Sequence, residues 1–520
     1  MRLNVDKRRS HSAGVMKSKM WPCITAATLL FTAMAMPNGM EGQAVQNQTA
    51  THQRYTIVDL GTLGGPSSYF WPFQEVVNAR GEAVIGADTP NSDPSNPCFN
   101  PIGPVTDCFI QHAAVWNRGK LLDLGTLPSG TFSSPLCIAD NGLIAGGSDI
   151  GVLDPLTGEV EQRAVLWQDK GKMMDLGTLG GNQSQAVGVN ARGEVIGAAL
   201  NTIPDAYSLA ANWTGSFAAA TQTRAFQWQN GVMHDLGTLG GPDAFALYIN
   251  EPGQVAGISY TSSTPDPNTG LPPIHPFLWQ HGQMFDLGTF GGASAGVYDL
   301  NNAGQVVGVM DLTGDQTWHP FLWDRGHLVD LGTLGGDTGV ANAINDSSEI
   351  VGQADLPGSQ GNHGFIWRDG RMTDLGTLGT NSSARWINSK GQVVGKSLIG
   401  HVTPSHHGFL WENGGPMIDL NVLVPMGSAL TIEQAYFINE LGEIAANGVF
   451  SNGDQHAILL VPDGNCDDLE ARIAALQNSA ALAQNQPVIK QVEPASPAIQ
   501  FRNRFLQRDS IPSPAAAPLN

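Results

Sequence analysis

From Tyr55 to Val461 short runs rich in Val, Ile, Phe and Trp alternate with polar stretches marked by Gly, Asn and Asp. Runs of four to seven such residues between turn-forming residues predict strands. They recur in a fixed order. An apolar piece ends in Asn, as in ALYIN, ANAIN, ARWIN and AYFIN, and a turn leads to GQVAG, GQVVG or GEVIG. A third piece reads HPFLW, HGFIW or HGFLW, and a fourth ends in Asp-Leu-Gly-Thr. That tetrapeptide begins at Asp59, Asp123, Asp175, Asp235, Asp286, Asp330 and Asp374, with a degenerate copy at Asp419, at intervals of 44 to 64 residues. Four short antiparallel strands repeated at this period predict the blades of a β-propeller.

The turns agree. In Asn190–Gly193, Asn250–Gly253 and Asn388–Gly391 the Asn side chain can fold onto the backbone and the Gly supplies a positive φ. Asn230-Gly231, Asp369-Gly370 and Asn413-Gly414 suit the tight hairpin between third and fourth strands. The ends supply the closure. The repeat opens with a lone fourth strand, Tyr55 to Thr62, and closes with a unit holding only the first three, Ala435 to Val461. If the N-terminal strand completes the last blade, eight blades close into a ring with no open edge. The expectation is an all-β propeller over 52–462, a short helix over 463–485 and a disordered tail over 486–520.

Composition adds an address. Residues 1–35 hold six Lys/Arg, an apolar run from Trp21 to Met36 follows them, and Ala33-Met34-Ala35 offers a cleavage site. This pattern predicts a signal peptide over 1–35 and an exported chain, extracellular or periplasmic. No second apolar run of that length follows, so no membrane span is expected after cleavage. The formal charge is −20, although the N-terminal segment is basic. An acidic body argues against nucleic acid as a partner. Cys98 and Cys108 share one polar loop, and an oxidising compartment favours a disulfide between them. The states of Cys137 and Cys466 stay open.

Candidate chemistry is sparse. A two-residue turn at Asp369-Gly370 places Phe365 opposite Asp374, with His363, Phe365 and Trp367 on one face. Asp374 is then diagonal to His363, and a carboxylate buried there needs a donor. The His recurs as His112, His275, His319, His407 and His456, but Arg163 and Arg224 replace it opposite Asp175 and Asp235. Arg donates to carboxylates and does not ligate metals, so these pairs are expected to be structural and no metal or cofactor is expected. The Trp of the third strand, Trp367 among seven, is assigned to packing between blades. Gly292-Ala-Ser-Ala-Gly296 matches a nucleophile-elbow pattern but falls in a linker between strands. Catalytic residues are not identified.

The ordered motifs DLGTLGG, Ile-Asn followed by Gly-Gln-Val-Val-Gly, and His-x-Phe-Leu-Trp resemble the HAF-repeat family of bacterial exported proteins. Departures are the two Arg residues, Leu460 where Trp would fall, and DLNV at Asp419. The resemblance implies an envelope or extracellular repeat protein and brings no activity with it.

A ligand is expected where symmetry breaks. The connections from second to third strand are long in the first four units, at 88–111, 147–162, 199–223 and 259–274. They share one face with the blade-to-blade linkers and carry the candidate binding residues Tyr207, Trp213, Phe217, Tyr260, Asp149 and Asp205. The leading expectation is a binding or scaffold module for an envelope glycan or protein. The alternatives are a polysaccharide-acting glycosidase or lyase using loop carboxylates, and a purely structural surface protein.

Overall fold

The computed structural model describes residues 53–70, 74–93, 108–154, 158, 160–168, 171–209, 221–359, 361–400 and 406–463. The expected signal segment 1–35, Cys98, Trp213, Phe217, the tail 486–520 and all but Asp463 of the expected helix lie outside them.

The described chain forms eight four-stranded antiparallel sheets, the blades of a propeller. Blade 1 comprises β2 (Ser68–Tyr69), β3 (Ala83–Ser92), β4 (Phe109–Asn117) and β5 (Lys120–Asp123). Blades 2 to 7 repeat this order, with first strands starting at Ser133, Ser184, Ala244, Gly291, Gly339 and Asn381. Blade 8 takes β30 (Leu430–Ile438), β31 (Ile444–Phe450) and β32 (Gln455–Pro462) from the end of the repeat. Its outer strand is β1 (Tyr55–Asp59), which pairs antiparallel with β32 from Tyr55↔Pro462 to Asp59↔Ile458. The expected strand exchange is therefore present. Blade 8 also packs on blade 1, where Ser68 Oγ accepts from Ala457 N and Asn447 Oδ1 accepts from Phe70 N. A short α-helical turn, α1 (Leu420–Leu423), forms where DLNV replaces Asp-Leu-Gly-Thr, and Asp419 caps it.

Successive first strands touch one another around the ring and form its inner wall, whereas the fourth strands are exposed at the rim. The core lies between blades. Phe226, Phe277, Phe321, Phe365 and Phe409, the Phe of the third strand in five blades, are fully buried. Trp367 lies partly buried against the cluster containing Ile344, Ile350 and Phe365. The Gly that ends GQVVG-type segments has a steric cause. A bulge in the first strand between Ala341 and Ala343 brings a carbonyl over Gly352, where a Cβ would sit 1.9 Å from Val340 O.

Blade 1 departs from the others inside the ring. Thr62 and Asn78 are separated by four more residues than Thr178 and Asn190. The extra length leaves the inner wall: Gln74 Nε2 donates to Leu247 O of blade 4, and Ile138 N of blade 2 donates to Glu75 O. Gln74 and Glu75 of blade 1 therefore bond to blades 4 and 2 from inside the ring.

Candidate functional site

The repeated His–Asp pairs come first. His Nδ1 lies 2.6 to 3.0 Å from the carboxylate in His112–Asp123, His275–Asp286, His319–Asp330, His363–Asp374, His407–Asp419 and His456–Asp59. The register is Phe365↔Asp374, which sets His363 on the diagonal. Arg224 replaces His with a two-pronged contact to Asp235 at 2.9 and 3.1 Å. Arg163 departs from the expected pairing. Its guanidinium turns to Glu161 and to the carbonyl of Asn182, while Asp175 accepts from Gly177 N.

Burial of these pairs is also less than expected. His363 is 16% exposed and Asp374 41%, because the fourth strand lies at the rim. The Asp has a second duty, accepting the N–H of the Gly two residues on, as Asp374 does from Gly376 at 2.7 Å. Burial opposes ionisation of Asp123 and Asp286, but the bonds from His112 or His275 and from the Gly N–H outweigh it and hold both carboxyls below their ordinary value. The stability they contribute is present above the unfolded pKa near 4 and lost as pH falls through the folded one. For a half-exposed pair, His363→Ala is expected to cost about 1 kcal/mol or less and His363→Arg less still. Urea unfolding of the two variants checks this; equal losses would contradict a donor role.

Among the described residues of the long connections, two of the candidates are turned into the fold. Asp149 is buried, and its Oδ1 accepts Thr131 N and Phe132 N at 2.7 and 2.8 Å. This corrects its assignment to a ligand: it fastens the linker entering blade 2, as Asp88 holds Ser67 N in blade 1. Tyr260 is corrected likewise. It is 0% exposed, and its hydroxyl donates to Tyr207 O at 2.9 Å. Tyr207 itself packs half-buried on the same cluster.

Asp205 leads to a residue that the sequence reading passed over. Its Oδ1 accepts Tyr207 N, while its Oδ2 is buried without a protein donor. It faces Asp243, fully buried at the start of blade 4, whose oxygens accept Leu209 N and Thr223 N. Burial pushes the Asp243 carboxyl up to about 8; Asp205 adds to the rise and the two N–H groups oppose it. Two neighbouring buried carboxyls repel each other when both are ionised, and a proton on one of them relieves that repulsion. A folded-state pKa above the unfolded one gives stability that is fully present below about pH 4 and is lost as pH rises through about 8. Asp243→Asn should flatten the decline between pH 5 and 8 by a few kcal/mol, read by thermal unfolding against pH. A variant profile parallel to the parent's would refute that proton.

Inside the ring, Glu75 remains accessible from the channel yet is surrounded by protein. Burial, with the carboxylates of Asp140, Asp299, Glu251 and Glu440 from four other blades, pushes it up to about 8. Among the described residues no group of three or more His, Cys, Asp or Glu is placed to hold a metal ion. Cys108 is disulfide-bonded, and its expected partner Cys98 lies outside the described residues. Cys137 is a buried free thiol, raised by burial to about 12.

A pocket of about 430 Å³ opens on the hairpin-turn face, opposite the face where the ligand was expected. It lies between blades 2 and 3 and is lined by Leu143, Met174 and Trp228 together with Asn141, Gln168, Arg192 and Asn230.

No family model matches the chain, and no curated protein matches it. Among solved structures it is similar to the β-propeller domain of the Trilobed protease from Pyrococcus furiosus. The identity is 9%, the TM-score 0.39, and the match covers 68% of this chain and 95% of that one. It is also similar to TolB from Acinetobacter baumannii, at 9% identity and TM-score 0.29, over 59% of this chain and 77% of that one. The propeller assignment therefore stands on the chain's own strand order.

Proposed function

We propose that this chain is an exported propeller acting as a binding or scaffold module in the bacterial envelope or extracellular space, kin to the HAF-repeat proteins, with a glycan or protein as ligand. One observation carries the reading: the side chains that repeat around the ring, and carry its acid–base chemistry, are engaged with the ring itself. The His–Asp pairs fasten third strands to fourth, and Asp149 and Asp88 fasten linkers. The neighbouring carboxyls that would suit an enzyme, Asp205 and Asp243, are enclosed by protein, with Asp205 Oδ2 buried. Glycosidase carboxyls must face a sugar or a water, whereas Asp243 is fully buried with both oxygens taken by backbone N–H groups. Rigid frames with variable edges suit recognition.

The test is a screen of the folded chain lacking residues 1–35 against envelope glycans, with product formation assayed in parallel. Saturable binding without turnover is expected. Release of a cleaved product would contradict the reading, as would the absence of any bound component.

A further inference from the structure

The eight blades are joined on the hairpin-turn face by a belt of asparagines. In seven of the eight blades an Asn follows the first strand and donates its side-chain N–H to the backbone carbonyl of the matching residue in the next blade. The bonds run Asn190 to Asn250, Asn250 to Asn301, Asn301 to Asn345, Asn345 to Asn388, and Asn388 to Asn439, at 3.0 to 3.2 Å. Asn439 closes the ring onto Asn78, and Asn78 continues it to Ala139. There the belt is interrupted, because Ala139 has no amide to offer blade 3. Asn141 spans this seam instead, donating to Ala191 O at 2.7 Å.

A second feature fails at the same place. Four residues after the belt Asn stands a Glu or Gln, which ties the turn to the end of the third strand in its own blade. Gln229 meets Glu194, Gln254 meets Gln280, Arg368 meets Glu349 and Gln392 meets Glu412, at 2.6 to 3.4 Å. In blade 2 this position is Leu143, and Gln168, the residue that would be tied, has no side-chain partner among the described residues. The 430 Å³ pocket lies at this seam, with Leu143 and Gln168 in its wall. Two substitutions in one blade have thus exchanged a polar bridge for a hollow.

The lining defines the ligand. Leu143 and Met174 are apolar, and Trp228, 6% exposed, adds a wall. The amides of Gln168 and Asn230 carry no bond to described residues, so a hydrocarbon ligand would strip them of water without replacing their hydrogen bonds. The one charged group of the described lining, Arg192, is held by Glu194 at 2.5 Å, so no described residue of the lining is left to favour an anion. Hydroxyls for the amides and a C–H surface for the apolar wall are the properties of a neutral sugar ring. The volume lies in the range of small-molecule sites.

We propose that the seam between blades 2 and 3, on the hairpin-turn face, binds one neutral pyranose residue of a glycan, set against Leu143, Met174 and Trp228 and hydrogen-bonded by Gln168 and Asn230. This inference rests on the binding-module reading and gives that reading its ligand class.

The test titrates the full folded chain with the methyl glycosides of glucose, galactose and mannose and with N-acetylglucosamine, read by saturation-transfer NMR. Glucuronate serves as the charged counterpart. Leu143→Gln restores the residue type that other blades carry, so it should fold, tie Gln168 and fill the hollow. At least one neutral sugar should bind saturably in the millimolar range, at least tenfold more tightly than glucuronate, and Leu143→Gln should weaken it at least tenfold. Should that variant misfold, Gln168→Leu takes its place with the same expected loss. Binding that survives either folded variant places the site elsewhere and overturns this inference while leaving the module reading intact. Failure of every neutral sugar to bind, or equal binding of glucuronate, overturns the ligand class. Cleavage of a probe overturns the module reading itself.

Discussion

Deleting Tyr55–Asp59 should unfold or aggregate the protein. The segment supplies the outer strand of blade 8, and its loss would leave β32 with an unpaired edge. Tyr55 and Val58 are buried in two different clusters, and each such side chain is worth about 1.5 to 3 kcal/mol. The five-residue ladder, the His456–Asp59 pair and the bond from Leu60 N to Ala457 O at 3.1 Å would go with them. A loss above about 5 kcal/mol is expected, comparable to the whole stability of many domains. Thermal unfolding and size-exclusion chromatography of the truncated chain read it out. A truncated protein as stable and as monomeric as its parent would show that the ring does not depend on this strand.

Asn345→Ala should be among the costliest single truncations of a polar side chain in the ring, and it stands for the other belt asparagines with the same bonds. Asn345 Nδ2 donates to Asn388 O in the next blade at 3.0 Å and to Glu349 at 2.7 Å. Its Oδ1 accepts Ser347 N at 3.1 Å and Glu349 N at 3.0 Å, shaping its own turn. Removal leaves buried backbone groups unsatisfied at a blade seam, for an expected loss of about 2 to 4 kcal/mol in urea unfolding. A loss under about 0.5 kcal/mol would mean that the belt is ornamental.

The ring was legible because its signals are local and repeated. The Asn-x-x-Gly turns, the Asp369-Gly370 hairpin and the missing fourth strand at the end each imposed one geometry, and the phase of the two ends implied closure. The inter-blade role of Asn345 was hidden because its turn already accounts for the residue: the Oδ1 bonds are local, whereas the Nδ2 acceptor lies 43 residues away. The candidate site was legible only in part. Asp149 and Tyr260 look like loop chemistry in sequence, yet both lie on second strands, where they are buried. Asp243 reads as one of many linker residues until Asp205 is folded onto it. The seam pocket did leave a signal, since Ala139 and Leu143 break two positions that every other unit keeps polar. At this seam the symmetry breaks in single side chains and not in loop length. The four extra residues before Asn78 are likewise countable, but the acceptor of the Gln74 side chain, Leu247 O, lies three blades away.

The ring closure carries the whole account, and a cysteine pair tests it most directly. Thr56 and Val461 stand opposite each other in the β1–β32 ladder. Thr56→Cys combined with Val461→Cys, oxidised in the folded state, should give a cross-linked monomer. Because the bond closes nearly the entire propeller, the unfolding midpoint should rise, with an entropic gain of up to about 5 to 6 kcal/mol. Cross-links found only between chains, or none under conditions that oxidise an exposed pair, would contradict a ring closed by its own N-terminal strand.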